Sequence, residues 1–365
     1  MDKVKVGIIG CGNISNIYLK NLTQVFKNVD VVACADIAVE RAKQRSEEFG
    51  ISKACSVEEL LADPEIRIVL NLTIPTSHSD INFAALNAGK NVYVEKTLAL
   101  NREDAQKTLA LAKKKGLLVG CAPDTFLGAG LQTCRKLIDE GWIGKPTLAS
   151  GFMVSGGPES WHPAPEFLYK QGAGPLFDMG PYYITAMITL LGAVQRVSGS
   201  SRKTFEQRII TSAAKFGSKI NVDIDTNIAG VLEFKSGALA TLVTSFDTNS
   251  YMPRMEIFGT EGSMIVPDPN MFEGPVKIKR YDASEWSDIP LTHCHSDNSR
   301  GLGVADMAHA LLNGEKHRAS GELAYHVLDV ICSLMDSANE LKHHNVKSVV
   351  ERPEAMPMGL ANQML

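Results

Sequence analysis

Four groups of residues in this 365-residue chain have the types and spacing to do chemistry. In the first, Glu95-Lys96-Thr97 directly follows the run Asn91-Val92-Tyr93-Val94. A buried strand there would hold the Lys96 ammonium at a sheet edge, and a structural salt bridge with Glu95 is the plainer account. In the second, Asp178 and Tyr182 lie in Gly174-Pro175-Leu176-Phe177-Asp178-Met179-Gly180-Pro181-Tyr182 and would share one helix face. A carboxylate and a phenol on one face, near a lysine, make a proton-transfer group with a lowered tyrosine pKa. Alone, that pair reads more simply as a core aromatic and a carboxylate near a helix start. The third group, Ser160-Trp161-His162-Pro163, sits in a Gly/Pro-rich loop. An aromatic beside a histidine suits a sugar face, and surface packing is an equal account. The fourth, His293-Cys294-His295, has metal-binding residue types without the usual ligand spacing, so it reads as loop and no metal is expected.

The elements that must position these groups begin with the first residues of the chain. Val4-Lys5-Val6-Gly7-Ile8-Ile9 reads as a strand running into Gly10-Cys11-Gly12-Asn13-Ile14-Ser15, then into a helical pattern from Asn13. A second strand, Val31-Val32-Ala33-Cys34-Ala35, ends in Asp36. Strand, glycine turn, helix and acidic strand end are the parts of a dinucleotide-binding βαβ unit. Gly10 permits the tight turn, Gly12 has no Cβ to block a pyrophosphate, and the helix start offers unpaired N–H groups. Ser15 stands where a third glycine is usual, a position that only sets how closely helix and strand pack. Asp36 can accept hydrogen bonds from both adenosine ribose hydroxyls and would repel a 2′-phosphate, so NAD is favoured over NADP.

Alternation of strand and helix continues to Cys121, through strands at 68–72, 91–94 and 117–121 and helices at 38–49, 56–61, 79–88 and 101–115. This predicts a doubly wound parallel sheet covered on both faces. Ligands bind outside the carboxyl ends of such strands. There fall the glycine turn with Asn13 and Ile14, then Asp36 with Ile37, then Thr73-Ile74-Pro75 with His78, then Glu95-Lys96. His78 reads equally as a locally packed helix-start residue or as part of the cofactor edge. After Ala122-Pro123 the rhythm changes to helices near 131–140 and 176–191 with a strand at 147–154 between them, then strands at 220–224, 228–234, 238–245, 255–258 and 264–266. Helices return at 301–312 and 322–341. The expected organisation is a dinucleotide-binding domain over 1–122 and an α+β domain with a large, mostly antiparallel open sheet over 123–365. The loops 156–172 and 247–251 are candidate pocket walls. A broad sheet needs its outer face covered, so a homodimer or homotetramer through that sheet is expected.

Composition narrows the classes. A hydrophobic content of 44% with 21% charged residues describes a folded protein, and a net charge of −4 gives no footing for a nucleic-acid surface. Seven scattered cysteines, with Cys11 and Cys34 inside the nucleotide unit, point to reduced thiols in a cytosol. The opening apolar run has strand length without a cleavage-type flank, and 184–194 is too short to span a bilayer, so no membrane association is expected.

Taken together, Gly10 to Ile14, Asp36, Pro75 with His78, Glu95-Lys96, Gly174 to Tyr182 and Phe258-Gly259-Thr260-Glu261-Gly262 resemble the Gfo/Idh/MocA oxidoreductases over nearly the whole chain. The resemblance implies a Rossmann domain followed by an open-sheet domain, with NAD or NADP used to oxidise or reduce a sugar or cyclitol carbon. It implies that Glu95-Lys96 stands for the family's Glu-Lys-Pro, its lysine touching both nicotinamide side and substrate hydroxyl. Asp178-Met179-Gly180-Pro181-Tyr182 then stands for Asp-x-Gly-x-His with tyrosine in place of histidine, as in the glucose–fructose oxidoreductase and dihydrodiol dehydrogenase branches. Tyr182 would be the acid/base, Lys96 would lower its pKa, and Asp178 would orient the substrate, with Trp161 and His162 on the substrate side. Thr97 replaces a proline that often follows a cis bond. A cis bond before a non-proline residue costs about 3–4 kcal/mol, so a different local backbone is expected at Lys96. Two other functions stand beside the dehydrogenase: a glycoside hydrolase using NAD redox transiently, and a non-catalytic NAD-binding regulator.

Overall fold

Short apolar runs form the strands β1 (Val4–Ile9), β2 (Val29–Ala35), β3 (Lys53–Cys55), β4 (Ile68–Asn71), β5 (Asn91–Val94) and β6 (Val119–Cys121). They pair in the order β3-β2-β1-β4-β5-β6, all parallel. The order reverses between β1 and β4, which makes the carboxyl end of that pair the place where a ligand crevice opens. Every residue of β4 and β5 is buried, as expected for a sheet covered on both faces. The connecting helices are α1 (Ser15–Gln24), α2 (Val39–Phe49), α3 (Val57–Ala62), α4 (His78–Asn87) and α5 (Arg102–Lys115). Local chemistry sets their ends. Ser56 and Glu59 form a reciprocal capping box on α3, and Asn101 accepts the Asp104 N–H on α5.

The computed structural model describes residues 2–359. The chain divides into two compact units, each assembled from separated segments. The first takes the residues up to Gln132, then Thr292–Tyr325, then the chain from Pro353 on; the second takes Thr133–Leu291 and His326–Arg352. This differs from a single cut between 122 and 123, because a distant segment returns to the parallel sheet. Within the first unit, Asn21 donates to the carbonyls of Asn298 and Arg300, and Asn28 donates to that of Ala305. The buried Asp124 carboxylate accepts from the N–H groups of Gly301 and Gly303 at the start of α8 (Leu302–Asn313). Cys121 donates its N–H to the Ala319 carbonyl, extending the edge at β6. The division of the chain falls inside α6 (Ala129–Asp139) and α9 (Gly321–Glu340).

The second unit is built on a nine-stranded sheet in the order β16-β15-β14-β13-β7-β12-β11-β8-β17. Its members are β7 (Pro146–Val154), β8 (Val194–Arg202), β11 (Asn227–Phe234), β12 (Leu239–Ser245), β13 (Met252–Gly259), β14 (Gly262–Val266), β15 (Val276–Arg280), β16 (Ser287–Ile289) and β17 (His344–Asn345). Only β7 and β12 run parallel. The strand expected over 220–224 is instead β10 (Lys219–Asn221), paired with β9 (Gln207–Ile209) in a separate ribbon. Strands β8, β9 and β15 to β17 carry polar residues or are very short, and so give little apolar signal. The long apolar helix α7 (Gly174–Leu191) packs along β7, β11 and β12. The alternate side chains of the same strands point away from this core, and Leu148, Val231 and Leu239 are 45%, 41% and 44% exposed. Leu148 sits between Leu239 and Phe258 in register, so the outward face carries an apolar stripe. Among the described residues no helix is long and apolar enough to cross a membrane.

Candidate functional site

The nucleotide edge of the first unit is set by its glycines. Gly10 has φ +102°, and a Cβ there would lie 2.6 Å from the backbone carbonyl of Leu72, so the turn is closed to every side chain. Gly12 is the opposite: a Cβ there would meet nothing within 4 Å and would project into an open cradle. The helix begins at Ser15, two residues later than expected, because the Ser15 hydroxyl donates to the Gly12 carbonyl at 2.6 Å and holds 12–14 as a turn. No side chain caps α1, and its first two N–H groups make only long bonds to the preceding turn, Ser15 to the Gly12 carbonyl at 3.3 Å and Asn16 to the Asn13 carbonyl at 3.4 Å. Asp36 accepts the Cys11 N–H at 2.7 Å and the Ala38 N–H at 2.8 Å. Each carboxylate oxygen keeps a further lone pair, which suits ribose hydroxyls. Ile37 is fully exposed, Ile74 is 65% exposed and Ile14 is 36% exposed, leaving apolar surface along the strand ends. Asn13 is exposed and Pro75 starts a short 3₁₀ turn at the end of β4. An open glycine cradle, an uncapped helix start, an acidic strand end and bare isoleucines fit a dinucleotide.

Lys96 is placed at the same edge by buried polar groups. One oxygen of Glu95 accepts the Lys96 N–H at 3.0 Å, and the other accepts the Tyr18 hydroxyl at 2.7 Å. Burial, with the Glu95 charge adding to it, pushes the Tyr18 pKa well up, so this phenol stays a donor. The Lys96–Thr97 bond is cis, which corrects the expectation of a different backbone without proline. Thr97 fits because its hydroxyl donates to the Ala99 carbonyl at 2.9 Å and its own carbonyl faces His78 Nδ1 at 2.7 Å.

His78 also departs from its expected cofactor contact. The side chain is fully buried, and its second nitrogen faces the Thr73 carbonyl at 3.1 Å. Burial lowers its pKa, so the ring is neutral and donates to one carbonyl at a time. With both nitrogens on backbone, His78 ties the loops after β4 and β5 together and offers none to a ligand. Asn71 completes this brace, accepting the Thr73 N–H and hydroxyl and donating to Asn82 at 2.9 Å. Asn82 reaches the Leu98 carbonyl at 3.4 Å.

In the second unit the chemistry-bearing residues gather around α7. Pro175 starts the helix, Asp178 is half-buried, and Tyr182 follows one turn later at 8% exposure. His162 accepts the Ala164 N–H at 3.0 Å through Nδ1, and its ring stands edge-on to Trp161 and Phe167, each at 5.4 Å. Partial burial lowers the His162 pKa while the Asp178 charge opposes it, which places these two groups within electrostatic reach. Trp161 is 67% exposed beside them. The His293-Cys294-His295 stretch is structural. His293 bridges the Thr292 hydroxyl and the Met356 carbonyl, and His295 packs on Phe26. Among the described residues no His, Cys, Asp and Glu group is arranged to hold a metal.

Residues 4–122 match the oxidoreductase family with an NAD-binding Rossmann fold, and residues 131–265 match the GFO/IDH/MocA C-terminal domain. The chain belongs to the Gfo/Idh/MocA oxidoreductases. Among Gfo/Idh/MocA relatives, myo-inositol 2-dehydrogenase of Thermotoga maritima is 27% identical over 262 residues, covering 71% of this chain and 74% of that protein. The scyllo-inositol 2-dehydrogenase (NAD(+)) of Bacillus subtilis is 29% identical over 319 residues, covering 86% and 87%. Levoglucosan dehydrogenase in complex with NADH and L-sorbose has the same fold, with a TM-score of 0.82 at 20% identity over 96% of this chain and all of that one.

This Gfo/Idh/MocA chain thus collects Gly10, Gly12, Asn13, Ile14, Asp36, Ile37, Ile74 and Lys96 along strand ends of its first unit, and Trp161, His162, Asp178 and Tyr182 around α7 of its second. Sequence reasoning missed Tyr18, Asn71 and Asn82. A polar residue closing a fully buried strand, as Asn71 does, is the signal that would have exposed the brace.

Proposed function

We propose that the protein is an NAD-dependent dehydrogenase acting on a hydroxyl-bearing carbon of a sugar or cyclitol. The observation that carries this reading is the fixed position of the Lys96 backbone, held by Glu95 and through it by Tyr18 at the nucleotide edge. Gly10, Gly12, Asn13, Ile14, Asp36, Ile37, Ile74 and Pro75 would hold NAD, which supplies a hydride acceptor when bound. Tyr182 takes the proton from the substrate hydroxyl. Its unperturbed pKa of about 10 is far above working pH, so a neighbouring cation is needed, and Lys96 serves as that cation. Asp178 accepts from a second substrate hydroxyl and orients the ring, with Trp161 and His162 along the substrate. Inositol-oxidising relatives support the substrate class, and Asp36 supports NAD over NADP. The apolar outer face of the nine-stranded sheet supports a homo-oligomer formed through it; a monomer by light scattering would remove that part.

The test is NADH fluorescence during incubation with NAD and a panel of aldoses, inositols and anhydrosugars. A substrate-dependent rise that falls by about 10²–10⁴-fold in Tyr182→Phe and Lys96→Met, with NAD still bound, is the expected result. An undiminished rise in either variant would remove that residue from the chemistry.

A further inference from the structure

Within the second unit a cavity of about 510 Å³ opens between the end of β7, strand β9 and the loops 155–161 and 249–251. Gly157 in its lining has φ +91° and is packed from behind; a Cβ there would lie 2.3 Å from Glu159 Oε2 and 2.6 Å from the Tyr169 hydroxyl. Trp161, Tyr251 and Ile209 line the cavity at 67%, 64% and 57% exposure. Large apolar surfaces left open in a concave, polar-rimmed site mark a place where a ligand lies. Around them the hydroxyls of Ser160 and Thr211 make no hydrogen bond among the described residues, so they remain for a partner.

The charge of the cavity decides which ligand. Arg208 donates from Nε to Glu159, from Nη1 to Asp247 at 2.8 Å, and from Nη2 to the carbonyls of Gly156 and Phe246. The guanidinium is largely buried, and the two carboxylates more so, at 14%, 7% and 3% side-chain exposure. All three of its nitrogens are committed to protein oxygens, so the cavity's cation is spent on its own frame. The charged residues lining the cavity, Arg208 and Glu159, are paired with each other, and Asp247 behind them takes the guanidinium as well, so no spare cation remains to draw a phosphate or carboxylate. Flat ring faces beside hydroxyls, without a spare cation, fit a neutral pyranose.

The cavity also adjoins His162, one of the groups assigned to the substrate side. Trp161 lines it and stands edge-on to His162, which lies within reach of the Asp178 charge. We infer that this cavity is a second carbohydrate subsite, holding one neutral ring of a glycoside or disaccharide whose other ring is presented to Asp178 and Tyr182. This rests on the dehydrogenase reading above and narrows its substrate to glycosylated, uncharged sugars, excluding nucleotide sugars.

The test is calorimetric titration of the NAD-loaded protein with glucose, a set of neutral glucose disaccharides of different linkage, and a nucleoside-diphosphate glucose, beside NADH fluorescence on the same samples. At least one disaccharide should bind tenfold or more tightly than glucose. Tyr251→Ala should remove about tenfold of that affinity, and Tyr251→Phe should restore it. Ile209→Asp, on a separate element and exposed, should weaken the disaccharide in the same way, so one misfolded variant cannot decide the outcome. Equal binding of disaccharide and monosaccharide, or tighter binding of the nucleotide sugar, overturns the subsite. Turnover of monosaccharides with no disaccharide preference overturns the subsite and leaves the dehydrogenase standing. Tight disaccharide binding with no NADH from any sugar supports the subsite and removes the dehydrogenase.

Discussion

The two glycines of the nucleotide turn separate folding from binding, and one substitution at each measures the difference. Gly10→Ala places a methyl 2.6 Å from the Leu72 carbonyl at φ +102°. Backbone held in that region costs about 1–3 kcal/mol, and the clash adds to it because the obstacle is main chain at the end of a buried strand. Gly12→Ala meets nothing within 4 Å and needs no positive φ, so its effect on the fold should stay within about 0.5 kcal/mol. Its methyl instead occupies the cradle through which a pyrophosphate would approach. A tenfold loss of NAD affinity corresponds to about 1.4 kcal/mol. At a ligand concentration 100 times the wild-type Kd, bound NAD adds about 2.7 kcal/mol of stability, and a tenfold weaker variant would keep about half of it. Thermal unfolding with and without NAD, with a fluorescence titration, reads both quantities. Gly10→Ala should melt several degrees early without ligand. Gly12→Ala should match the wild type without ligand and lag behind it with NAD. A Gly12→Ala protein that binds NAD normally would refute the placement of the pyrophosphate at this turn.

Asp36→Ala should weaken NAD by about tenfold while NADP binding falls less, because the lost carboxylate accepts from ribose and repels a 2′-phosphate; unchanged selectivity by titration would sink the assignment. Stability should fall as pH drops from about 6.5 towards 4, chiefly through His326. Its Nε2 accepts the Val194 N–H at 3.1 Å, its Nδ1 faces the Ser348 hydroxyl, and burial pushes its pKa down to about 4. The unfolded chain therefore takes up the proton first, and up to about 3 kcal/mol present above the unfolded pKa is lost on the way down. His78, His295 and His317 are lowered by burial and act in the same direction. Asp124 acts oppositely, since burial raises its pKa to about 6 and its contribution fades as pH rises through that value. Urea unfolding of wild type and His326→Asn between pH 4 and 7 isolates the histidine: the variant's curve should be flatter, and equal slopes would dismiss His326 as the cause.

Local chemistry was legible throughout the chain. The turn at Gly10 and Gly12, the helices expected from 56 and 101 and the paired strands at 228–234 and 238–245 each depend on residues a few positions apart, and each forms within a residue or two of where the pattern puts it. The parallel sheet followed from buried apolar runs, whereas β8 was missed because most of its residues are polar, and β15 because it is five residues long with only Val276 and Ile278 apolar. The return of 292–325 to the first unit was invisible for a different reason. Its anchors are Asn21, Asn28 and Asp124, polar side chains whose partners lie far along the sequence.

The same distance in sequence explains why residue type left His78 with two readings. A carboxylate closing a strand beside a glycine loop finds its protein partners locally, and Asp36 accepts the N–H groups of Cys11 and Ala38. An imidazole at a strand end has several roles, and the choice was made by Thr97, whose carbonyl faces the ring across nineteen positions. That contact, with Tyr18 on Glu95 across 77 positions, fixes the backbone on either side of Lys96. Residue types along a sheet edge therefore identify which ligand is wanted. What a group at that edge can still offer depends on whether its donors and acceptors are already given to the backbone, as both nitrogens of His78 are.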